Sequence, residues 1–356
     1  MARREPVPST VLVTGGAGFL GSHACVEFLD HGYEVVVVDN YCNSNPQALT
    51  RVERIAGRFV GAVYELDIRD RRALSAVFDR HAVDAVVHFA ALKSLSGSTR
   101  RPVEYYDINV GGTTALLHTM HEHGVHRLVF SSTCSIYGRP TTVPVDESAP
   151  ARPTTPYSAS KWLSEQILAD VCRRRPEYTV ACLRHFNPAG AHPSGLLGEA
   201  PRGAPENLMP NLTQAAVGGQ ERLQIFGDDY PTPDGTAIRD YIHVLDSVEA
   251  HRLALDHLSD GPGMRVYNVG LGEGRSVLDL IRAFEQVSGR TVPYEIGPRR
   301  PGDVAEVVAD SSAVTREWGW RPARDLADIC RDAWRFQLLS PYGYAESERR
   351  PRPTDG

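Results

Sequence analysis

Along the first half of the chain, short apolar runs rich in β-branched residues alternate with stretches of helical spacing. "TVLVT", "EVVVVD", "AVYELDI" (ending in Asp67), "DAVVHFAA" and "RLVFSST" read as strands. Their near-continuous apolar character suits a sheet covered on both faces. "SHACVEFLDHG", "RRALSAVFDR" and "TTALLHTMHEHG" read as helices, the first ending at Gly32. Repeated βα units predict an α/β fold with a doubly wound parallel sheet of the Rossmann type. After "LRHFNPAG" the alternation weakens and Pro and Gly become frequent, which predicts a second, smaller α/β domain. The expected division is 10–188 for the first domain, with returns near 238–270, and 189–345 for the second. "RDYIHVLDSVEAHRLALDHL" (strand then helix) and "RVYNVG" (strand) mark the returns, and "LIRAFEQVSG" is a core-facing amphipathic helix. Residues 1–9 and 346–356 are charged and proline-rich, and are expected to be flexible.

The passage from Thr10 to Asp39 carries the first chemistry. "GGAGFLG" joins the first strand to the first helix, with Gly15, Gly18 and Gly21 spaced GxxGxxG. The first glycine permits a tight turn, the second lets a pyrophosphate approach the backbone, and the third lets helix and strand pack closely. A helix N-terminus then faces the phosphates with unpaired N–H groups. Asp39 ends the next strand, where a carboxylate accepts from ribose hydroxyls and repels a 2′-phosphate, so NAD is favoured over NADP. Ligands of such sheets bind at the C-terminal strand ends. That places Asp67, Phe89, Ala90, Lys93, Ser131, Ser132 and Thr133 along the cofactor cleft.

Composition narrows the class without changing this picture. The chain has 356 residues and a formal net charge of -6, with no long basic run, so nucleic acid is not an expected partner. No apolar run is long enough to span a bilayer, and no secretory h-region follows "MARREPVPST". The six cysteines are scattered without a CxxC and read as buried free thiols in a reducing cytoplasm. The histidines of "HTMHEHGVH" lie on a helix end and the turn after it. They offer no coherent four-ligand set, and no metal is expected.

"TPYSASKW" sets Tyr157 and Lys161 one helical turn apart, a pairing that is also common on solvated helices. Its context decides. The glycine turn, "HFAA", the Asn109 segment, "SSTCSIYG" and Tyr157-x-x-x-Lys161 together resemble the extended short-chain dehydrogenase/reductase family. With "LRHFNPAGAHPSG", "ENLMP", "IFGDDYPTPDGTAIRDYIHV" and "PRRPGD" following, the chain resembles the UDP-galactose (UDP-glucose) 4-epimerase family from about residue 10 to about residue 345.

The resemblance implies an NAD-dependent isomerase that epimerises a UDP-hexose by hydride transfer through a 4-keto sugar. Residues 10–188 would hold NAD and 189–345 the UDP-sugar. Tyr157 would be the acid/base. A free phenol titrates at about 10, and Lys161 together with oxidised nicotinamide would lower that value. Thr133 would bond the sugar O4. The family pattern extends the cofactor site to Phe19, Leu20, Asn40, Asn43, Ser44 and Ile68, and to Ala91, Asn109 and Phe186. On the substrate side, Lys93 and Asn187 would meet the hexose or phosphate, and Asn207 and Leu208 the diphosphate and ribose. Leu223, Gln224, Ile225 and Phe226 would frame the uracil. Arg239 and Arg300 would pair with the diphosphate as guanidinium forks, Asp303 would hold the uridine ribose, and Tyr241 belongs to the same wall. A homodimer through the helices after Asn109 and at Tyr157 is also implied.

Departures from the pattern bear on chemistry. Related 4,6-dehydratases carry an Asp-Glu pair after the Thr, where this chain has Cys134 and Ser135. Dehydration is therefore disfavoured. Cys134 could in principle serve a C6-oxidising dehydrogenase, but a buried thiol is the simpler reading. His185 replaces the usual Tyr before "FNP", and with Arg100 or Arg101 could accept a 6-carboxylate, as in UDP-glucuronate. Val307 replaces a large Tyr and leaves room for a 2-acetamido group. The hexose identity stays open between these readings. A non-catalytic NAD-bound scaffold is the rival from another class, and it predicts loss of the Tyr/Lys pair.

Overall fold

The computed structural model describes residues 9–258, 261–300 and 302–344. The expected flexible ends, 1–9 and 346–356, lie outside the described residues except for Ser9. In chain order the strands are β1 (Thr10–Thr14), β2 (Glu34–Asp39), β3 (Ala62–Glu65), β4 (Ala85–His88), β5 (Arg127–Thr133), β6 (Thr179–His185) and β7 (Asn187–Ala189). They continue as β8 (Leu223–Phe226), β9 (Ile238–His243), β10 (Gly263–Val269), β11 (Gly274–Ser276), β12 (Tyr294–Gly297) and β13 (Glu306–Val307). The helices are α1 (Phe19–Asp30), α2 (Gln47–Ala56), α3 (Arg71–Arg80), α4 (Leu95–Arg100), α5 (Pro102–Tyr105) and α6 (Gly112–Glu122). After them come α7 (Pro156–Arg174), α8 (Leu208–Ala216), α9 (Val244–His257), α10 (Val277–Ser288), α11 (Ser312–Trp318) and α12 (Leu326–Leu339).

Seven parallel strands form the main sheet in the order β10-β6-β5-β4-β1-β2-β3. The order reverses between β1 and β4, which opens a crevice at their C-terminal ends. Successive residues of each strand serve opposite faces. Val11, Val13, Val35 and Val37 join one core with α1 and α9, whereas Leu12, Val36 and Val38 join the other with α3, α6 and α7. Strands buried on both faces must be apolar throughout, and this is why they are legible as unbroken runs.

The rest of the chain builds two small sheets. β9 pairs with β7, β11 and β13, and β8 pairs with β12. Beneath them a third core gathers Met209, Leu212, Leu280, Phe284 and Ile329. A small cluster of Ile136, Tyr137, Val145, Phe186, Val307 and Ala309 joins the two parts. The 238–270 region divides. β10 pairs with β6 in the main sheet, while β9 stays in the smaller one. α9 packs back against α1, where Arg252 Nε pairs with Glu27 Oε1 at 2.9 Å.

Two local expectations differ. α1 begins at Phe19 rather than Ser22, because Gly21 sits inside its first turn. Cys42 is exposed, in the turn after β2 where its N–H donates to Asn40 Oδ1, and only Cys25, Cys182 and Cys330 are fully buried. All six thiols are free. No helix among the described residues is long and apolar enough to cross a membrane.

Candidate active site

Every predicted site residue except Asn109 lines one cleft of about 650 Å³ at the C-terminal ends of β1, β4 and β5. Its cofactor end is shaped by backbone. Gly15 has φ +73°, and a Cβ there would lie 2.7 Å from the Ala90 amide nitrogen. A Cβ on Gly21 would lie 2.1 Å from the Gly15 carbonyl oxygen. Gly18 is the N-cap of α1 and supplies no side-chain cap, so the first-turn N–H groups remain for an anion. Asp39 holds this cradle together. Oδ2 accepts from Ala17 N at 2.9 Å, and Oδ1 accepts from Tyr41 N at 2.9 Å and Ser44 Oγ at 2.8 Å. A carboxylate has about four acceptor sites, so one remains for a ribose hydroxyl. These residues fit a dinucleotide: the cradle has no room for added side chains, and its donors and acceptors match phosphate and ribose.

Around the cradle, Asp67 bonds Asn40 Nδ2 at 3.3 Å and Arg69 Nε at 3.0 Å. The Arg69 bonds hold the Asp67 carboxyl below the usual range. Arg69 carries no motif that would have flagged it. Asn109 does not reach the cleft. Its amide donates to Leu92 O at 3.0 Å and Ser160 Oγ at 2.9 Å, and its carbonyl accepts from Leu92 N at 2.8 Å. Both its N–H donors and its carbonyl are engaged in clamping the loop after β4 onto α7, a positioning arrangement. It lies in a π-turn (Tyr106–Gly111) that a plain helical pattern does not disclose.

α7 presents the central pair. Thr155 caps it reciprocally with Ser158 and Pro156 occupies its first turn, which puts Tyr157 at its mouth and Lys161 one turn deeper. Tyr157 and Thr133 line the cleft together, and Thr133 Oγ1 lies 3.0 Å from Ser135 Oγ. Burial pushes the Tyr157 phenol up to about 12, with only the neighbouring Thr133 side chain acting the other way. The expected lowering by Lys161 is therefore absent from the protein alone. Lys161 is itself buried, its Nζ 4.3 Å over the Phe130 ring, and burial pushes it down to about 8. Behind it a closed ion pair fixes the wall. Arg184 Nη2 bonds Glu165 Oε2 at 2.7 Å, and Ser132 Oγ bonds Glu165 Oε1 at 2.5 Å.

The far end is made of side chains from distant segments. Lys93 Nζ and Asn207 Nδ2 both donate to Glu199 Oε1, each at 2.6 Å. Asn207 is also the N-cap position of α8 without capping it, so the α8 N–H groups face the cleft as those of α1 do. Arg239 Nη2 meets Asp303 Oδ1 at 3.3 Å, and the Arg300 guanidinium stacks 3.8 Å over the Phe226 ring. Gln224 and Phe226 are half-buried, whereas Leu223 and Ile225 turn into the third core. The latter pair can frame a ligand only through their backbone. Tyr241 is buried, which pushes its phenol up to about 12. Asn187 Oδ1 is buried with no hydrogen-bond partner. Glu199 and Glu206 also line this end; both sit in an irregular proline-rich loop and gave no sequence signal.

Several sequence suggestions change in three dimensions. His185 is buried, with Nδ1 2.8 Å from Ser247 Oγ and Nε2 3.3 Å from His251 Nε2. Burial, then the neighbouring His251 and Lys161, lowers its pKa well below that of a free imidazole. A neutral ring with both nitrogens engaged is a poor receptor for a carboxylate. Arg100 and Arg101 lie outside the cleft lining, and Arg101 pairs with Glu104 at 2.9 Å. Burial pushes the Cys134 thiol up to about 12, which removes it as a nucleophile. Val307 is buried in the joining cluster and keeps the cleft wall thin there. Ligand atoms of His121, His126 and Glu177 lie within 4.8 Å of one another outside the cleft, but Glu177 is within 3.7 Å of Arg175 and the group is partly exposed.

Comparison with known proteins matches this geometry. The NAD dependent epimerase/dehydratase family covers residues 11–270. UDP-glucose 4-epimerase of Bacillus subtilis is 48% identical over 338 residues, 95% of this chain and 99% of that one. The structure of UDP-glucose 4-epimerase from Bifidobacterium longum in complex with NAD+ and UDP has a TM-score of 0.92 at 47% identity, covering 94% of this chain and 99% of that chain. That of the Stenotrophomonas maltophila enzyme, with bound NAD and formylated UDP-arabinopyranose, has a TM-score of 0.91 at 49% identity, with 94% and 99% coverage. The glycine cradle, the Tyr157–Thr133 contact and these matches lead to one conclusion: the chain belongs to the NAD dependent epimerase/dehydratase family, and within it resembles the UDP-glucose 4-epimerases.

Proposed function

We propose that this chain is an NAD-dependent 4-epimerase of a UDP-hexose, of the UDP-glucose/UDP-galactose type. The observation that carries the reading is Tyr157 set beside Thr133 and one turn from Lys161, midway along a cleft with a dinucleotide cradle at one end. At the other end stand two arginines and the open N-terminus of α8.

Oxidised NAD, when bound, supplies a positive charge beside Tyr157 and a reversible hydride acceptor for C4 of the hexose. The chain's own residues handle position and proton. Tyr157 takes the O4 proton as C4 is oxidised and returns it as C4 is reduced from the other face. Thr133 bonds O4 and links it to the phenol. Lys161 contributes fixed positive charge from below. Arg239 and Arg300 hold the diphosphate while the 4-keto sugar turns over, with Asp303 at the uridine ribose and Phe226 at the base. The assignment of NAD to 10–188 and UDP-sugar to 189–345 is part of the same proposal, with α9 and β10 serving the first part.

Rival chemistries lack their groups. Cys134 and Ser135 offer no carboxylate pair for dehydration, and the raised Cys134 thiol argues against oxidation at C6. A scaffold without catalysis would have no reason to keep Tyr157 and Lys161 together. Val307 favours a second reading, sterically tolerant of UDP-N-acetylhexosamines. We further infer a homodimer, supported by exposed Val103, Tyr106 and Leu163 on the helices around Asn109 and Tyr157. A cytoplasmic setting is supported by the six unpaired thiols. The test is product analysis with UDP-glucose, UDP-N-acetylglucosamine and UDP-glucuronate side by side. Conversion of UDP-glucose to its 4-epimer without net NADH supports the reading; stoichiometric NADH or no turnover overturns it.

A further inference from the structure

The loop of residues 199–207 forms the cleft wall between Lys93 and α8, and Glu199 is its most enclosed carboxylate, with a side chain 8% exposed. Its Oε1 takes both Lys93 Nζ and Asn207 Nδ2 at 2.6 Å. Its Oε2 has no hydrogen-bond partner among the described residues. Lys93 and Glu199 thus compensate each other in place. Asn187 lines the same cleft, but its Oδ1 is buried away from the opening, without a hydrogen-bond partner among the described residues. Both ring nitrogens of His185 are already engaged. This stretch of wall therefore offers a hydroxyl group an unpartnered carboxylate oxygen, with its lysine already paired.

We propose that Glu199 is a specificity-determining residue that selects neutral hexoses and turns away sugar nucleotides with a carboxylate on the sugar. The proposal rests on the reading of the cleft as a UDP-sugar site. A hydroxyl donor meets Oε2 as a partner, whereas a sugar carboxylate brings no proton to an oxygen that can only accept, and sets a second anion against a carboxylate that a single lysine already compensates. Glutamine at this position keeps a carbonyl for Lys93 and Asn207 and removes the charge alone.

The experiment measures dissociation constants of UDP-glucose, UDP-glucuronate and UDP by calorimetry on NAD-loaded protein. The wild type should bind UDP-glucuronate more weakly than UDP-glucose by about tenfold or more. Glu199→Gln should narrow that ratio by about tenfold, and Glu199→Asp, which keeps the charge, should largely preserve it. Lys93→Met, which leaves the carboxylate uncancelled, should widen it. An unchanged ratio in both Glu199→Gln and Lys93→Met overturns the proposal. So does a parallel shift for UDP alone, which would place Glu199 at the diphosphate. Because binding is read and not turnover, a wild type that binds both sugars without epimerising either defeats the functional reading, while the ratio still judges Glu199.

Discussion

At the cofactor end of the cleft, the main chain does the holding: a left-handed Gly15, an uncapped helix start and an Asp39 that ties the turn to the 41–44 loop. At the sugar end, side chains from segments far apart hold one another, Lys93 with Glu199, Arg239 with Asp303, Arg300 with Phe226. A backbone cradle binds what every dinucleotide shares, phosphate and ribose. Side-chain alliances can be exchanged one residue at a time without disturbing the fold, so discrimination between sugars belongs at that end.

The comparison breaks most visibly at the junction. Tyr157→Phe removes one hydroxyl and should lower kcat by about 10²–10⁴ or more while NAD and UDP binding stay near normal, by calorimetry. Near-normal turnover would dissolve the assigned chemistry. At the cofactor end, Gly21→Ala forces a methyl to 2.1 Å from the Gly15 carbonyl oxygen. Overpacking of this kind costs about 1–3 kcal/mol or more, so the variant should melt earlier and purify with little NAD. Retention of full NAD would show that the cradle is less rigid than described. At the sugar end, Val307→Tyr should lower kcat/KM for UDP-N-acetylglucosamine by about one to two powers of ten, with a much smaller loss for UDP-glucose. Equal losses would show that Val307 is no gate.

The smallest effect concerns pH. Lys161 titrates at about 8 in the folded protein because burial disfavours its charge, against about 10.4 unfolded. Between those values the unfolded chain binds more protons, so this group makes stability rise with pH across that window. The positive charge it places in the cleft declines over the same range. Urea midpoints of wild type and Lys161→Met should diverge in slope from about pH 8 upward. Parallel profiles would mean that the lysine stays charged.

Legibility in the sequence follows the same divide. The strands of the main sheet were readable because two-sided burial demands unbroken apolar runs, and the glycine turn because each glycine answers a local steric need. Tyr157 and Lys161 share one helix face, so spacing alone related them. Glu199 gave no signal: its partners are 106 and 8 residues away, in a loop without periodicity. The motif names Asn109 but not what its amide reaches, which is Leu92 and Ser160. The upward shift of Tyr157 in the protein alone is illegible in the sequence for a similar reason. Charges can be counted along a helix, but the burial that outweighs them is a property of the packed cleft.

The central claim is that Tyr157 moves only the O4 proton while hydrogen at C4 leaves and returns without meeting water. UDP-galactose carrying deuterium at C4 tests it directly, with the UDP-glucose product analysed by mass and by proton resonance. The account predicts that the label is retained at C4 and that no solvent hydrogen enters there. Loss of the label to water, with epimerisation still occurring, would contradict it.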